Sequence, residues 1–151
     1  MNWKLFILFL IINFGALGLG GWLQGEGARA EWYQNLEKAP WTPPGWVFGT
    51  AWFSIMLCFS FFMAKLVDKN GSVLVWTLFA AQFVLNVFWN PMFFRWHEVT
   101  ISLIMIGALF LLTAFFLVYF RNTLGAWSWL IAPYVIWLGI ATSLNAYFLV
   151  N

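Results

Sequence analysis

The residues of this chain best suited to chemistry are amides and indoles that share one helical face. Gln82, Asn86 and Asn90 recur at intervals of four residues, and Trp89 lies beside them. Helical spacing places these four side chains within an arc of about 100°. An amide supplies a hydrogen-bond donor and an acceptor, and an indole supplies a large flat apolar surface. The face is therefore suited to a flat, largely apolar ligand with a few polar atoms.

A second face of the same kind lies near the end of the chain. Tyr134, Trp137, Ala141 and Asn145 fall on one stripe by the same geometry. Polar side chains at membrane depth normally face protein or a cavity. The two stripes can line a cavity together, or their amides can simply join helices, each contributing about 0.6–2 kcal/mol. Spacing alone leaves both interpretations open.

Several kinds of site are not indicated. The apolar segments carry no Asp, Glu, Lys or Arg in their interiors, which argues against a proton-coupled pump or a charged ion filter. His97 and Glu98 are adjacent and point to different faces, and Cys58 is the single cysteine, so no metal site is predicted. No Ser-His-Asp set, P-loop or dinucleotide glycine motif is present. A net charge of +2 does not suggest nucleic acid.

The elements that position these residues are apolar segments of membrane-spanning length. The chain is 64% hydrophobic and 8% charged, with a mean hydropathy of +0.85. About 20 apolar residues cross the roughly 30 Å hydrocarbon core of a bilayer. We predict an all-α, up-and-down bundle forming one membrane domain over residues 1–151. Its five spans are residues 5–23, 45–64, 73–94, 99–120 and 127–150.

The longest polar segment, residues 24–44, joins the first two spans and is either a lid or a plain connector. Tryptophans at span ends are typical of an interfacial belt; these are Trp3, Trp22, Trp46, Trp76, Trp96, Trp127 and Trp129. Trp52, Trp89 and Trp137 lie further into their spans and fit a belt less well.

Five spans place the two termini on opposite sides. The amino-terminal side collects Lys4, Lys65, Lys69 and Arg121, and the other side collects Arg29, Lys38 and Arg95. This is a weak positive-inside signal for a cytoplasmic amino terminus.

Three blocks of sequence resemble one known family. Trp32-Tyr33 and the segment from Leu36 to Gly45, LEKAPWTPPG, are similar to the first-loop motif of the TspO/MBR family. That family contains the tryptophan-rich sensory proteins and the mitochondrial translocator protein, or peripheral-type benzodiazepine receptor. The blocks from Gln82 to Phe94 and from Pro133 to Asn145 are similar to its third and fifth helices. The matches keep the expected order and spacing.

The resemblance implies a five-helix bundle, commonly dimeric, with a pocket under the first loop. Family members bind tetrapyrroles such as protoporphyrin IX, and many bind isoquinoline carboxamides and benzodiazepines. No cofactor is implied, since porphyrin would be a ligand or a substrate. A bacterial-type member of the cell membrane is expected. The implied pocket residues are Trp41, Trp52, Asn86, Trp89, Asn90, Tyr134, Trp137, Ala141 and Asn145.

Three functions follow from the resemblance, and a fourth interpretation is a scaffold whose aromatic residues only pack. A receptor or sensor would stack porphyrin on Trp52 and Trp137 and pair its propionates with Arg29 and Lys38. A light-dependent porphyrin-degrading enzyme would use Trp52 and Trp137 as the reacting or quenching groups. A transporter would move porphyrin or lipid, although the chain shows no internal repeat.

Sterol binding is not expected to be tight. Animal members of the family carry Leu or Val, then Tyr, then Lys or Arg at the end of the fifth helix. Leu144 and Tyr147 match the first two positions, but no basic residue follows through Asn151. The pattern is weak even when it is complete.

Overall fold

Five long helices make up most of the protein, and each is long and apolar enough to cross a membrane. The computed structural model describes every residue from Met1 to Asn151. The helices are α1 (Trp3–Leu23), α2 (Gly45–Lys69), α3 (Val73–Phe94), α4 (Val99–Tyr119) and α5 (Ala132–Val150). Shorter elements are the helices Glu31–Gln34 and Arg121–Leu124 and the 3₁₀ segments Gly27–Arg29 and Gly125–Ile131. The predicted all-α, five-span membrane bundle is confirmed, and the chain is a multi-pass membrane protein.

Capping side chains explain where α1 and α3 begin. The Asn2 side chain accepts a hydrogen bond from the Leu5 N–H at 3.3 Å, and the Ser72 hydroxyl accepts one from the Val75 N–H at 3.3 Å. Both caps satisfy backbone donors that a helix leaves unpaired at its first turn. Both helices therefore begin directly after a residue whose side chain can cap them.

Two helix boundaries differ from the predicted span boundaries. The second span was predicted to end at Ala64, and α2 continues through Lys65 to Lys69. No glycine or proline interrupts this stretch, and Lys65 places its ammonium 4.4 Å from the Trp127 ring centroid rather than among lipid tails. The fifth span is α-helical only from Ala132, since residues 125–131 form a 3₁₀ helix. Pro133 lacks an N–H, so it fits the first turn of a helix and not its interior.

The helices form a ring in which chain order and spatial order differ. α1 packs against α2 and α3, and α4 lies between α3 and α5. α2 contacts the last part of the chain mainly through the 3₁₀ segment before α5. We call the side of the bundle that holds the start of α1 the amino-terminal side. The opposite side, covered by residues 24–44, is the loop side.

The amino-terminal half of the bundle is filled by aromatic rings. Phe59 lies within 5.1–6.4 Å, centroid to centroid, of rings from its own helix and from α3, α4 and α5. These rings are buried and belong to Phe62, Phe79, Phe116 and Tyr134. This cluster leaves the space for a ligand to the loop side.

Most of the tryptophans predicted for the interfacial belt are exposed; these are Trp3, Trp22, Trp46, Trp96, Trp127 and Trp129. Trp76 differs, because it stacks on the buried Phe9 at 5.4 Å. Its ring belongs to the contact between α1 and α3.

Candidate functional site

A cavity of about 500 Å³ opens between the helices on the loop side. Ligand pockets of proteins usually enclose about 300–1,000 Å³, so this volume suits a ligand of substantial size. Four helices supply most of the walls, and residues 24–44 supply the roof. The segment that the sequence left as lid or connector therefore covers the cavity.

Many of the predicted site residues meet at this cavity. They are Lys38 from the roof, Trp52 from α2, Asn86, Trp89 and Asn90 from α3, and Trp137 and Ala141 from α5. The two faces drawn from helical spacing thus border one space. Other residues on these two faces join helices instead. Each face therefore contains some residues that line the cavity and some that only connect helices.

Trp52 and Trp137 form an aromatic wall. The Trp137 ring packs edge-on against Phe48 at 5.2 Å, and the Trp52 ring packs edge-on against Tyr134 at 6.0 Å. These contacts hold both indoles in place. Trp137 is almost fully buried and Trp52 is half-buried, and both border the cavity.

The Asn90 amide is fixed by backbone contacts and by a close approach of α1. The Asn90 amide donates to the Asn86 carbonyl at 2.9 Å and to the Val87 carbonyl at 3.3 Å. Gly20 of α1 lies so near that a Cβ there would fall 2.6 Å from the Asn90 amide nitrogen. The carbonyl oxygen of the Asn90 side chain is left to accept a hydrogen bond from a ligand.

Gln82 and Tyr134 do not line the cavity. The Tyr134 hydroxyl donates to the Gln82 side-chain oxygen at 2.8 Å, and both side chains are buried. Their hydrogen bond joins α3 to α5 between the cavity and the ring cluster. It forms part of the floor beneath the ligand space.

Asn145 also lies behind the cavity wall, where it holds Trp89. Its side-chain oxygen accepts from the Trp89 indole N–H at 3.0 Å and from the Ser102 hydroxyl at 3.3 Å, and its amide donates to the Val99 carbonyl at 3.2 Å. Three helices meet at this side chain. It borders a smaller space of about 50 Å³ next to the main cavity.

The roof is fastened by Lys38. Its ammonium donates to the backbone carbonyls of Tyr33 at 2.9 Å and Leu36 at 3.4 Å, and it lies 4.5 Å from the Tyr33 ring centroid. The charge therefore sits beside the last carbonyls of a short helix, where a cation is favoured. Burial raises the pKa of the Tyr33 phenol above its usual value, so the hydroxyl remains a neutral donor near the cavity.

Arg29 and Trp41 lie outside the cavity. Arg29 is exposed on the 3₁₀ segment Gly27–Arg29. The Trp41 indole donates to the Ser143 hydroxyl at 3.0 Å and packs edge-on against Tyr147 at 5.6 Å. Trp41 thereby ties the end of the roof to α5.

The corner between α3 and α4 is also tied to the roof. The His97 ring stacks on the Trp32 ring at 3.9 Å, and Trp32 packs against Phe93 at 5.4 Å. His97 adopts a φ of 58°, which is uncommon for a residue other than glycine. The corner therefore holds the first loop through the contact of His97 with Trp32.

Several lining residues had no signal in the helical spacing. Gln24, Tyr33 and Gln34 come from the irregular first loop, and Phe48 looked like any other apolar residue. The buried Asn13, which donates to the Ser60 hydroxyl at 3.0 Å between α1 and α2, was also missed. A single asparagine in an apolar run is a signal that could have identified it.

Comparison with known proteins agrees with this architecture. The model of the TspO/MBR family matches residues 6–150. The Tryptophan-rich sensory protein of Cereibacter sphaeroides is 34% identical over 146 residues, which cover 96% of this chain and 89% of that protein. Protein CrtK of Rhodobacter capsulatus is 30% identical over 155 residues, covering 96% of this chain and 91% of that protein. The Translocator protein of Ovis aries is 31% identical over 132 residues, covering 82% and 75%. The chain therefore belongs to the TspO/MBR family.

Proposed function

We propose that this protein is a membrane receptor or sensor that binds tetrapyrroles, such as protoporphyrin IX, in the loop-side cavity. The observation that carries the proposal is the convergence of three indoles and two amides on one space of about 500 Å³; these are Trp52, Trp89, Trp137, Asn86 and Asn90. The names of two relatives, a sensory protein and a translocator protein, agree with a role in ligand recognition.

The cavity chemistry fits a flat macrocycle. A porphyrin is a broad aromatic plate with polar substituents at its edge, and aromatic contacts contribute about 0.5–1.5 kcal/mol each beyond area burial. Trp52 and Trp137 offer ring surfaces, while the amides of Asn86 and Asn90 offer hydrogen bonds. Neutral polar groups predominate, so most of the binding energy would come from apolar contact.

Titration with protoporphyrin IX in the dark tests the pocket. Tryptophan fluorescence of the purified protein is expected to show saturable quenching at micromolar ligand, and Trp137→Phe is expected to weaken binding severalfold because it removes a cavity-facing indole. Exposed Trp22→Phe is the matched control and should bind as the wild type does. Linear quenching, or equal affinity in Trp137→Phe, would indicate nonspecific partitioning and exclude the pocket.

The propionates would lie at the edge of the cavity, between Lys38, which lines it, and Arg29, which is exposed on the roof. Charge-assisted hydrogen bonds are the strong ones, so Arg29→Gln with Lys38→Gln should lower porphyrin affinity severalfold. The single variants distinguish the loss of a charge from the loss of contacts that order the roof. Arg29 is exposed and supplies only a charge, whereas Lys38 also fastens the roof. Lys4→Gln with Lys69→Gln, which also removes two charges but on the amino-terminal side, controls for net charge. Unchanged affinity in the double variant would remove both residues from the site.

Light-dependent degradation of porphyrin is the second candidate, since Trp52 and Trp137 both border the cavity. Illumination in air should then yield porphyrin products in the wild type and far less in Trp52→Phe with Trp137→Phe. Turnover that survives in this variant, with binding retained, would contradict the role of the indoles. Transport of porphyrin or lipid would instead require flux into proteoliposomes that empty liposomes lack.

Two further parts of the proposal concern other ligands and assembly. Isoquinoline carboxamides and benzodiazepines would compete with porphyrin, because the same indoles and amides would contact them. The protein would form a homodimer in the membrane. Competition titrations and the molar mass of the purified protein measured by light scattering test these two points separately.

A further inference from the structure

Charge is distributed very unevenly between the two sides of the bundle. The amino-terminal side carries Lys4, Lys65, Lys69 and Arg121 against the single carboxylate of Asp68. The loop side carries three cations, and its carboxylates are Glu26, Glu31, Glu37 and Glu98. The amino-terminal side is thus strongly basic, while the loop side is close to neutral.

Two of the basic side chains on the amino-terminal side are held over exposed indoles. The Lys65 ammonium lies 4.4 Å from the Trp127 ring centroid, and the Arg121 guanidinium lies 5.4 Å from that of Trp129. Trp127 is 47% exposed and Trp129 is 54% exposed. A cation over a ring face is attracted by the ring quadrupole and keeps its N–H groups free for an anion.

The elements that carry the two pairs are in contact with one another. The end of α2 packs against both the Arg121–Leu124 helix and the 3₁₀ segment Gly125–Ile131. Gly125 adopts a φ of 60°, which glycine tolerates, and the Ser128 hydroxyl donates to its carbonyl at 2.7 Å. Ser128 and Ile131 are buried, so the segment is fixed with both indoles turned outward.

We propose that these two pairs form a binding site for the headgroup of an anionic phospholipid. Lys65 and Arg121 bind the phosphate, and the exposed rings of Trp127 and Trp129 contact the glycerol and upper acyl region, where tryptophan is favoured. A phosphatidylcholine headgroup is a poorer ligand, because its ammonium group would meet a basic surface. The site is independent of the ligand in the loop-side cavity.

A matched pair of variants distinguishes this site from diffuse attraction between the basic surface and acidic lipids. Lys65→Gln with Arg121→Gln removes two charges from the ring pairs. Lys4→Gln with Lys69→Gln removes two charges from the same side at positions without such rings. Diffuse attraction depends on the number of charges near the surface, and each charge changes lipid affinity by about fivefold. It would therefore lower the lipid affinity of both variants equally.

The measurement is native mass spectrometry of the purified full chain with phosphatidylglycerol and phosphatidylcholine of equal chain length. We expect the wild type to retain one phosphatidylglycerol in preference to phosphatidylcholine. Lys65→Gln with Arg121→Gln should lose at least tenfold more affinity than the Lys4 and Lys69 variant. Equal losses, or equal retention of the two lipids by the wild type, would overturn the site.

Two further variants address folding and the role of the rings. Lys65→Arg with Arg121→Lys keeps both charges and should retain the lipid. Trp127→Leu with Trp129→Leu also keeps every charge and should weaken binding severalfold; unchanged binding would overturn the role of the indoles. Porphyrin affinity of each variant reports whether the bundle is intact. Displacement of the lipid by millimolar inorganic phosphate would overturn the assignment to a phospholipid.

Discussion

The two halves of this bundle are built from the same helices but are filled in opposite ways. In the amino-terminal half, Phe59 and its neighbouring rings are buried and leave no large space. In the loop-side half, the same helices enclose about 500 Å³. The amino-terminal half is a packed core, and the loop-side half encloses a cavity.

The difference lies in the size and shape of the side chains along each helix. The second half of α1 contains Gly15, Gly18, Gly20 and Gly21, and α2 begins with Gly45 and Gly49. Three of these glycines, Gly21, Gly45 and Gly49, line the cavity with open space where a Cβ would lie. Small residues in one half and phenylalanines in the other therefore decide where the helices leave room.

Packing of the core and lining of the cavity thus depend on different residues of one helix. Phe59 and Trp52 both belong to α2, yet one lies in the ring cluster and the other borders the cavity. Gln82 and Asn86 divide in the same way on α3. Substitutions in the two halves should therefore have separable effects.

The largest effect is expected in the packed half. Phe59→Ala should lower the free energy of unfolding by about 3–5 kcal/mol, because the rings around it cannot collapse into the space. Phe88→Ala, at an exposed ring of α3, is the control and should change stability by about 0.5 kcal/mol or less. Reversible unfolding in mixed micelles measures both. Equal losses would mean that the ring cluster is no more tightly packed than the surface.

A smaller effect is expected where α1 approaches the cavity amides. Gly20→Ala would place a Cβ 2.6 Å from the Asn90 amide nitrogen, so this side chain must shift and give up its contacts with the α3 backbone. We expect a severalfold change in porphyrin affinity and a stability loss of about 1 kcal/mol.

Gly18→Ala is the matched control, since a Cβ there meets nothing within 4 Å. This variant should leave porphyrin affinity unchanged when it is measured by the same titration. If Gly20→Ala also binds as the wild type does, the position of Asn90 has no influence on the ligand.

The smallest effect concerns the hydrogen bond that holds the Trp89 ring. A double-mutant cycle of Trp89→Phe and Asn145→Ala should give a coupling energy of about 0.6 kcal/mol, the average for polar contacts between membrane helices. Ser102→Ala, which removes a weaker contact to the same oxygen, should couple less. A coupling near zero would show that Asn145 does not position Trp89.

The sequence was sufficient for the helices and for much of the cavity wall. Apolar length located the five spans. Helical spacing placed Asn86 and Asn90 on one face, and the family resemblance then favoured a cavity there over helix joining. The sequence could not show that Gln82 bonds to Tyr134 or that Asn145 bonds to Trp89, because the partner of each amide comes from another helix. The resemblance implied a pocket under the first loop, but the sequence could not show the contacts that order this roof, such as that of Lys38 with backbone carbonyls.

The most direct test of ligand binding in the loop-side cavity is to fill that cavity with a larger side chain. Ala141→Phe adds a ring at the cavity wall, whereas Ile140→Phe adds one to the neighbouring residue, which is 36% exposed. Titration with protoporphyrin IX should show affinity reduced by about tenfold or more in Ala141→Phe, since overpacking costs about 1–3 kcal/mol, and wild-type affinity in Ile140→Phe. Equal affinity in the two variants, with both folded, would contradict binding in this cavity.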